Sequence, residues 1–477
     1  MLFPRGDRSP FILNRRQQLL HLGGGFAGLA LADLLAGSVV AESSRAGTGP
    51  HFVPKAKHCI FLFMNGGPSQ VDTFDPKPAL TKHHGQPYTG DAVVGSNGRP
   101  VGHLMQSPFP FRSHGDSGLE ISSLYPNLSA HADELCVIRS MHADTAAHAS
   151  GCLQMNTGSI FIGKPSLGSW LSYGLGTENQ NLPAFVVMPD PRGGPIGSAS
   201  NWSAGFMPAS HQGTLFRSGS APLLNLSNPE GTSNRTQRRS LDLLQALNAE
   251  HLQRRPEESE LEARIQSYEL AFRMQSAAMN VVDLQQETRE TQDMYGLTNP
   301  LTADFGRKCL LTRRLIQHGV RFVQLYSGGG HQEETWDGHG DCISNHRLHA
   351  GETDQPIAAL ITDLKRTGLW DETLLVWGGE FGRTPTSEGV NKPGRDHDWH
   401  GFSMWLAGAG VRGGQAIGAT DELGFAAVED RCHVSELHAT ILHLMGIDAN
   451  RLHFLHQGLN QRLTGVEPRQ VVRKALL

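Results

Sequence analysis

The chain has 477 residues, of which 38% are apolar and 18% charged, with a formal net charge of −5. That composition excludes global disorder and leaves room for a large core, either as two or three domains or as one α/β domain with insertions. Nothing in the charge favours nucleic acid, which calls for a basic stripe. The 24 histidines lean weakly toward metals, because imidazole is the commonest metal ligand.

The first feature along the chain is Arg15-Arg16, followed by an uncharged Gly/Ala-rich run from residue 22 to 32 and the small residues Ser38-Val39-Val40-Ala41. Paired arginines before a moderately apolar stretch resemble a twin-arginine export signal, expected over residues 1–42. The chain is then expected to meet the twin-arginine export machinery and to reach the periplasm or beyond. A basic amphipathic helix is the alternative, and Gly23-Gly24-Gly25 argues against it. Residues 43–57 are polar and Gly/Pro-bearing and read as a linker. No other stretch is long and apolar enough to span a membrane.

The first strand is expected at residues 59–64, Cys-Ile-Phe-Leu-Phe-Met, apolar throughout as a strand covered on both faces should be. It ends in Asn65-Gly66-Gly67-Pro68-Ser69, a glycine turn where α/β folds place ligands. Further strands are expected at 135–138 and 185–188, and residues 191–233 read as an irregular excursion. From about 235 to 295 leucines and other apolar residues recur near helical spacing, which predicts a helical insertion of two helices packed against the core. Strand–helix alternation then returns, with helices at 310–318 and 357–367 and strands at 320–325, 373–377 and 403–407. This order implies an α/β fold with a central, mostly parallel sheet flanked by helices, occupying residues 58–477. The six cysteines (59, 136, 152, 309, 342 and 432) form no CxxC pair and read mostly as buried small hydrophobes.

Three clusters near the strand ends carry metal-ligand chemistry: Asp337 and His339 with His331 before them, Glu380, and Asp396-His397 with His400. Carboxylates and imidazoles ligate zinc, manganese or iron, and they converge if all lie on one sheet edge. Each has a plainer reading: an exposed loop histidine, a carboxylate at Glu380 balanced by Arg383, an ordinary surface turn at 396–397.

The runs 373–380, 394–400 and 405–410 resemble the C-terminal half of the alkaline phosphatase–sulfatase superfamily. More closely, Gly66-Gly67-Pro68-Ser69-Gln70-Val71-Asp72-Thr73-Phe74-Asp75, Trp336-Asp337-Gly338-His339, Gly379-Glu380-Phe381-Gly382-Arg383-Thr384-Pro385 and Gly394-Arg395-Asp396-His397 resemble the bacterial "domain of unknown function" family numbered 1501 within that superfamily. The resemblance implies a metal-dependent hydrolase of sulfate or phosphate esters, acting on a small-molecule or polysaccharide ester. Its divalent ions would be zinc, manganese, calcium or iron, on Asp337, His339, Glu380, Asp396 and His397. Arg383 or Arg395 would stabilise the anion's charge.

The chain also departs from the superfamily. Asn65 stands where Asp is usual, with Asp72 and Asp75 further on, and Glu380-Phe381 replaces an Asp-His pair. Where sulfatases carry a nucleophile, counting back from Thr157-Gly158 lands on His148. His148 is therefore expected as a ligand or as the base for bound water. Thr145 or Ser150 is the rival nucleophile. The rival function is a fold that has lost catalysis and acts as a binding or scaffold protein.

Overall fold

The computed structural model describes residues 49–89, 102–219, 222, 223, 228, 230–254, 259–330, 332–388 and 392–477. The expected export signal at 1–42, and His331, lie outside the described residues. The strands used below are β1 (His58–Met64), β2 (Cys136–His142), β3 (Phe185–Met188), β4 (Thr214–Leu215), β5 (Phe322–Ser327) and β6 (Thr373–Gly378). They continue with β7 (Gly382–Arg383), β8 (His397–Asp398), β9 (Phe402–Gly408), β10 (Gln415–Ile417) and β11 (Cys432–His433). The helices are α1 (His148–Thr157), α2 (Leu167–Leu175), α3 (Asn234–Arg254), α4 (Ser259–Val282), α5 (Ala303–Gln317), α6 (Cys342–Arg366) and α7 (Val434–Leu444).

The central sheet has nine strands in the order β10-β2-β9-β6-β1-β5-β3-β4, with β11 also beside β2. β9 runs antiparallel to both its neighbours, and the other pairings are parallel. The mostly parallel α/β sheet expected from strand–helix alternation is therefore present.

β1 shows why an unbroken apolar run forms a central strand. Cys59, Phe61 and Phe63 enter one core cluster and Ile60, Leu62 and Met64 the other. With a side-chain period of two, both faces of such a strand are buried. Leu374 and Val376 against Leu375 and Trp377 repeat the pattern on β6. Side chains of α1, α2 and α7 fill the first cluster, and those of α4, α5 and α6 fill the second.

Three expectations need correction. α6 starts at Cys342, not near 357, and runs through Pro356; its true cap is Asp341, whose carboxylate accepts the Ile343 and Ser344 amides. A proline reads locally as a first-turn residue, which hid the turns before it. In the insertion, only α4 sends side chains into the core, through Met274, Ala278 and Val281. α3 leaves Leu243 and Leu247 exposed and is tied to α4 by Arg238–Glu269. Residues 49–57, expected as linker, are held by backbone hydrogen bonds such as Lys55 N to Leu444 O and Lys57 N to Glu372 O.

β1, β5 and β6 are parallel neighbours, so their carboxyl ends share one edge. Asn65, Asp337 and Glu380 all follow those ends, which is what brings distant segments together.

Candidate metal centre

Asp337 is the hub of this edge. Its Oδ1 lies 3.0 Å from His339 Nε2 and 3.2 Å from His397 Nε2, and its Oδ2 lies 3.2 Å from His148 Nε2. The Nε2 atoms of His339 and His397 are 2.9 Å apart. Ligand atoms bound at about 2.0–2.1 Å around a tetrahedral zinc lie ~3.3 Å from one another, so these four side chains are spaced as a single coordination shell would be. They form one of two groups of ionisable side chains, among the described residues, compact enough for a metal ion; the other is His339, Glu388 and Asp396.

The outward nitrogens fix the tautomers. His148 Nδ1 is 2.6 Å from Glu380 Oε1, His339 Nδ1 is 2.6 Å from Glu388 Oε1, and His397 Nδ1 is 2.6 Å from the Ala146 carbonyl. Each partner is an acceptor, so each Nδ1–H donates outward and each neutral ring presents an Nε2 lone pair inward. Metal-ligating histidines are held in this way by carboxylates and carbonyls behind them. His148 Nε2 is buried and has no hydrogen-bond partner, despite its closeness to Asp337. Lone pairs facing a carboxylate repel one another until a proton or a cation sits between them.

Burial alone would raise the Asp337 carboxyl; the Arg383 guanidinium, with the three imidazoles beside it, overcomes burial and holds the group far below the usual carboxylate range. Burial would lower His148, but Asp337 and Glu380 push it up to about 9, so a proton balances Asp337 there until a cation takes its place. His397 goes the other way, lowered to about 4 chiefly by burial, with Arg383 and His148 adding to the effect.

Local sequence explains the placement. The Arg383–His397 cross-strand pair of the β7–β8 ribbon sets both residues against Asp337, with Arg383 2.6 Å from its Oδ1. Phe381, one residue before that ribbon, packs its ring 4.9 Å from His148 and 4.8 Å from His397 between centroids. Gly66 is required: it sits at φ +109°, and a Cβ there would come within 2.6 Å of the Asp337 and Trp336 amide nitrogens. Its own N–H reaches both Glu380 oxygens, at 3.0 and 3.1 Å.

Of the expected site residues, His148, Asp337, His339 and His397 converge. Glu380 stands behind His148 and faces it with an oxygen, outside the converging set. Asp396 accepts the His397 amide and groups with His339 and Glu388 instead. Neither arginine is placed to meet an anion. Arg383 is fully buried and spent on Asp337 and on the carbonyls of Gly66, Gly67 and Arg395. Arg395 is fully buried and paired with Asp72 at 2.7 Å, with further bonds to the Thr384 and Met105 carbonyls. A pattern of Arg beside acidic residues does not tell an anion clamp from a structural pair, and here burial decides. Asn65 is spent on the Gly328 carbonyl, and His400 packs its ring, tilted by 33°, against Trp399. Cys152 is fully buried, its thiol pushed up by burial, which removes it as a nucleophile. Sequence reasoning missed Glu388, the Ala146 carbonyl and the packing role of Phe381.

The fold and site define a doubly covered α/β domain with a three-histidine, one-carboxylate centre at its carboxyl edge. The chain belongs to the family described as "Protein of unknown function (DUF1501)", whose model matches residues 56–476. No curated protein matches it. Solved structures with a similar fold include the alkaline phosphatase of the Antarctic bacterium TAB5, at 11% identity, covering 83% of this chain and 98% of that one, TM-score 0.33. The lipoteichoic acid synthase LtaP of Listeria monocytogenes is 11% identical, over 89% of this chain and 80% of that one, TM-score 0.37. The sulfatase PsFucS1 of Pseudoalteromonas sp. is 12% identical, over 87% and 71%, TM-score 0.34. At these scores the likenesses carry no argument about chemistry.

Proposed function

We propose that this protein is a metal-dependent hydrolase of phosphate or sulfate esters, with one divalent cation held by His148, Asp337, His339 and His397. The observation that carries the reading is the convergence of three Nε2 lone pairs on Asp337, each ring anchored from behind. Three nitrogens and one carboxylate suit zinc, manganese or iron; calcium prefers a shell of oxygens. When bound, the cation supplies Lewis acidity, polarising an ester oxygen and acidifying water. The chain's own residues do the rest. Glu380, Glu388 and the Ala146 carbonyl orient the rings, Arg383 keeps Asp337 ionised, and Phe381 excludes water from one side. His339, with 29% of its side chain exposed, is the most open of the four, so substrate enters from its side.

One observation favours the rival reading of a fold that binds without turnover: the two arginines expected to hold the anion are buried and engaged. Elemental analysis of purified protein, followed by assay against aryl phosphate and aryl sulfate panels, separates the two. Stoichiometric metal with hydrolysis abolished by chelation supports the hydrolase; absence of turnover in folded protein, with or without metal, supports the rival, and protein that stays metal-free after reconstitution sinks the metal-dependent hydrolase.

Export is proposed on Arg15-Arg16 and the apolar run after them. Replacing both arginines with lysine should leave the precursor in the cytoplasm, and unchanged export of that variant would refute a twin-arginine route.

A further inference from the structure

α1 begins at His148 in the metal centre and ends at Thr157, which lines a separate cavity of about 550 Å³. Ten helical residues at 1.5 Å each place the two roughly 14 Å apart. That volume lies within the range of small-molecule sites.

The lining has an unusual balance. Trp170, Phe206 and Leu463 give it an apolar floor, and Asn450, Asn460 and Gln461 add amides. Its formal charge is carried by Lys164 and Arg462, and no Asp or Glu is among its lining residues. In a chain of net charge −5 this is a locally positive concavity. Neither cation has a carboxylate partner among the described residues. Lys164 Nζ donates to Gln461 Oε1 at 2.8 Å, one hydrogen bond for a group with three donors. The Arg462 guanidinium is clamped by the Gly465, Asn450 and Val466 carbonyls, which fix its position while leaving its charge unneutralised.

We propose that this pocket binds an anionic sugar, a hydroxylated ring bearing a sulfate or phosphate group. The anion meets Lys164 and Arg462, ring hydroxyls meet the amides, and the C–H face lies on the apolar floor. The proposal goes beyond the hydrolase reading and does not depend on it.

Isothermal titration of the full-length protein with glucose 6-sulfate, glucose 6-phosphate, glucose and inorganic sulfate tests it. The anionic sugars should bind about tenfold more tightly than glucose or sulfate alone, as expected for one charge-assisted contact added to a neutral set. Lys164→Met should weaken them about tenfold. Because Lys164 lies outside the metal centre, Lys164→Met should keep the wild-type metal content and the wild-type rate on a small aryl ester. Absence of binding, equal binding of sulfate alone, or binding unchanged in folded Lys164→Met would overturn the proposal. An inactive or metal-free protein that still binds the sugars in this pocket would fail the hydrolase reading only.

Discussion

His148 Nδ1 lies 2.6 Å from Glu380 Oε1, and the same carboxylate takes the Gly66 N–H at the carboxyl end of β1. Glu380 is fully buried. A buried carboxylate with two donors aimed at it is committed to holding them, and the ring it holds turns Nε2 toward Asp337.

Glu380→Gln keeps the volume but offers one acceptor oxygen where two served. His148 or Gly66 then loses its partner, and the ring is no longer fixed in one tautomer. Metal affinity should fall about 10–100-fold, the usual effect of removing such an outer partner. Competition against a chelator of known affinity measures it. An unchanged dissociation constant in a folded variant would remove Glu380 from the orienting role.

Much of the fold was legible because strands buried on both faces have a plain signature: β3 is apolar throughout, β1 from Cys59 to Met64 and β6 from Leu374 to Trp377, and the glycines closing β1 and β6 marked the edge where the site lies. The four converging residues were all named from the sequence: Asp337, His339 and His397 as ligand-type residues near strand ends, and His148 through the resemblance, by counting back from Thr157-Gly158. What stayed hidden depends on distance in the chain. Glu388 reaches His339 across 49 positions, and the Ala146 carbonyl reaches His397 across 251. No local pattern encodes a backbone carbonyl as a partner. Arg395 misled for the opposite reason: its near neighbour His397 faces the centre while its own side chain turns to Asp72.

The two buried arginines should matter for stability and not for substrate charge. Arg395→Met leaves Asp72 buried without a counter-charge, and Arg383→Met strips Asp337 of the guanidinium 2.6 Å away. Removing one partner of a buried pair costs about 3–5 kcal/mol. Urea unfolding should show a loss of that order for both. Of the two, only Arg383→Met should also lower metal affinity. A folded Arg395→Met variant with wild-type stability and a greatly raised KM would restore the anion-binding role.

Acid should loosen the fold through its buried histidines. Burial lowers His346 to about 3, and lowers His142, His211 and His438 to about 4. Their charged forms are favoured in the unfolded chain, so the stability they contribute is complete above pH 6.5 and falls as pH drops toward 4. Asp398, pushed up to about 6 by burial, acts in the opposite sense over the same window, but four imidazoles outnumber it. His346 gives the sharpest test, because its Nε2 accepts the Ser69 amide at 2.8 Å and protonation abolishes that bond. His346→Gln should flatten the dependence of unfolding free energy between pH 6.5 and 5 by up to ~1.4 kcal/mol per pH unit, one proton's worth. A slope unaltered by the substitution would mean that the titrating groups lie elsewhere.

The last prediction concerns His148, the residue on which counting back from Thr157-Gly158 lands. The structure sets it among the converging nitrogens, with its buried Nε2 unpartnered and its Nδ1 anchored. The nearby hydroxyls are placed differently. Thr145 Oγ1 accepts the Ala147 amide at 3.2 Å, and Ser150 lies two residues further along α1, about 200° around the helix from His148. Attack by either hydroxyl would need His148 Nε2 as its base, and that atom is turned to Asp337 Oδ2 at 3.2 Å, among the converging ligand atoms. His148→Ala should therefore lower metal content and hydrolysis together, by an order of magnitude or more, since a lost ligand leaves the shell incomplete. Thr145→Val and Ser150→Ala should retain most of the activity. Metal content read beside turnover distinguishes a ligand from a base: a ligand variant loses both, a base variant loses turnover alone. Loss of activity in either hydroxyl variant, with a phospho- or sulfo-enzyme trapped in the wild type, would replace this account with covalent catalysis.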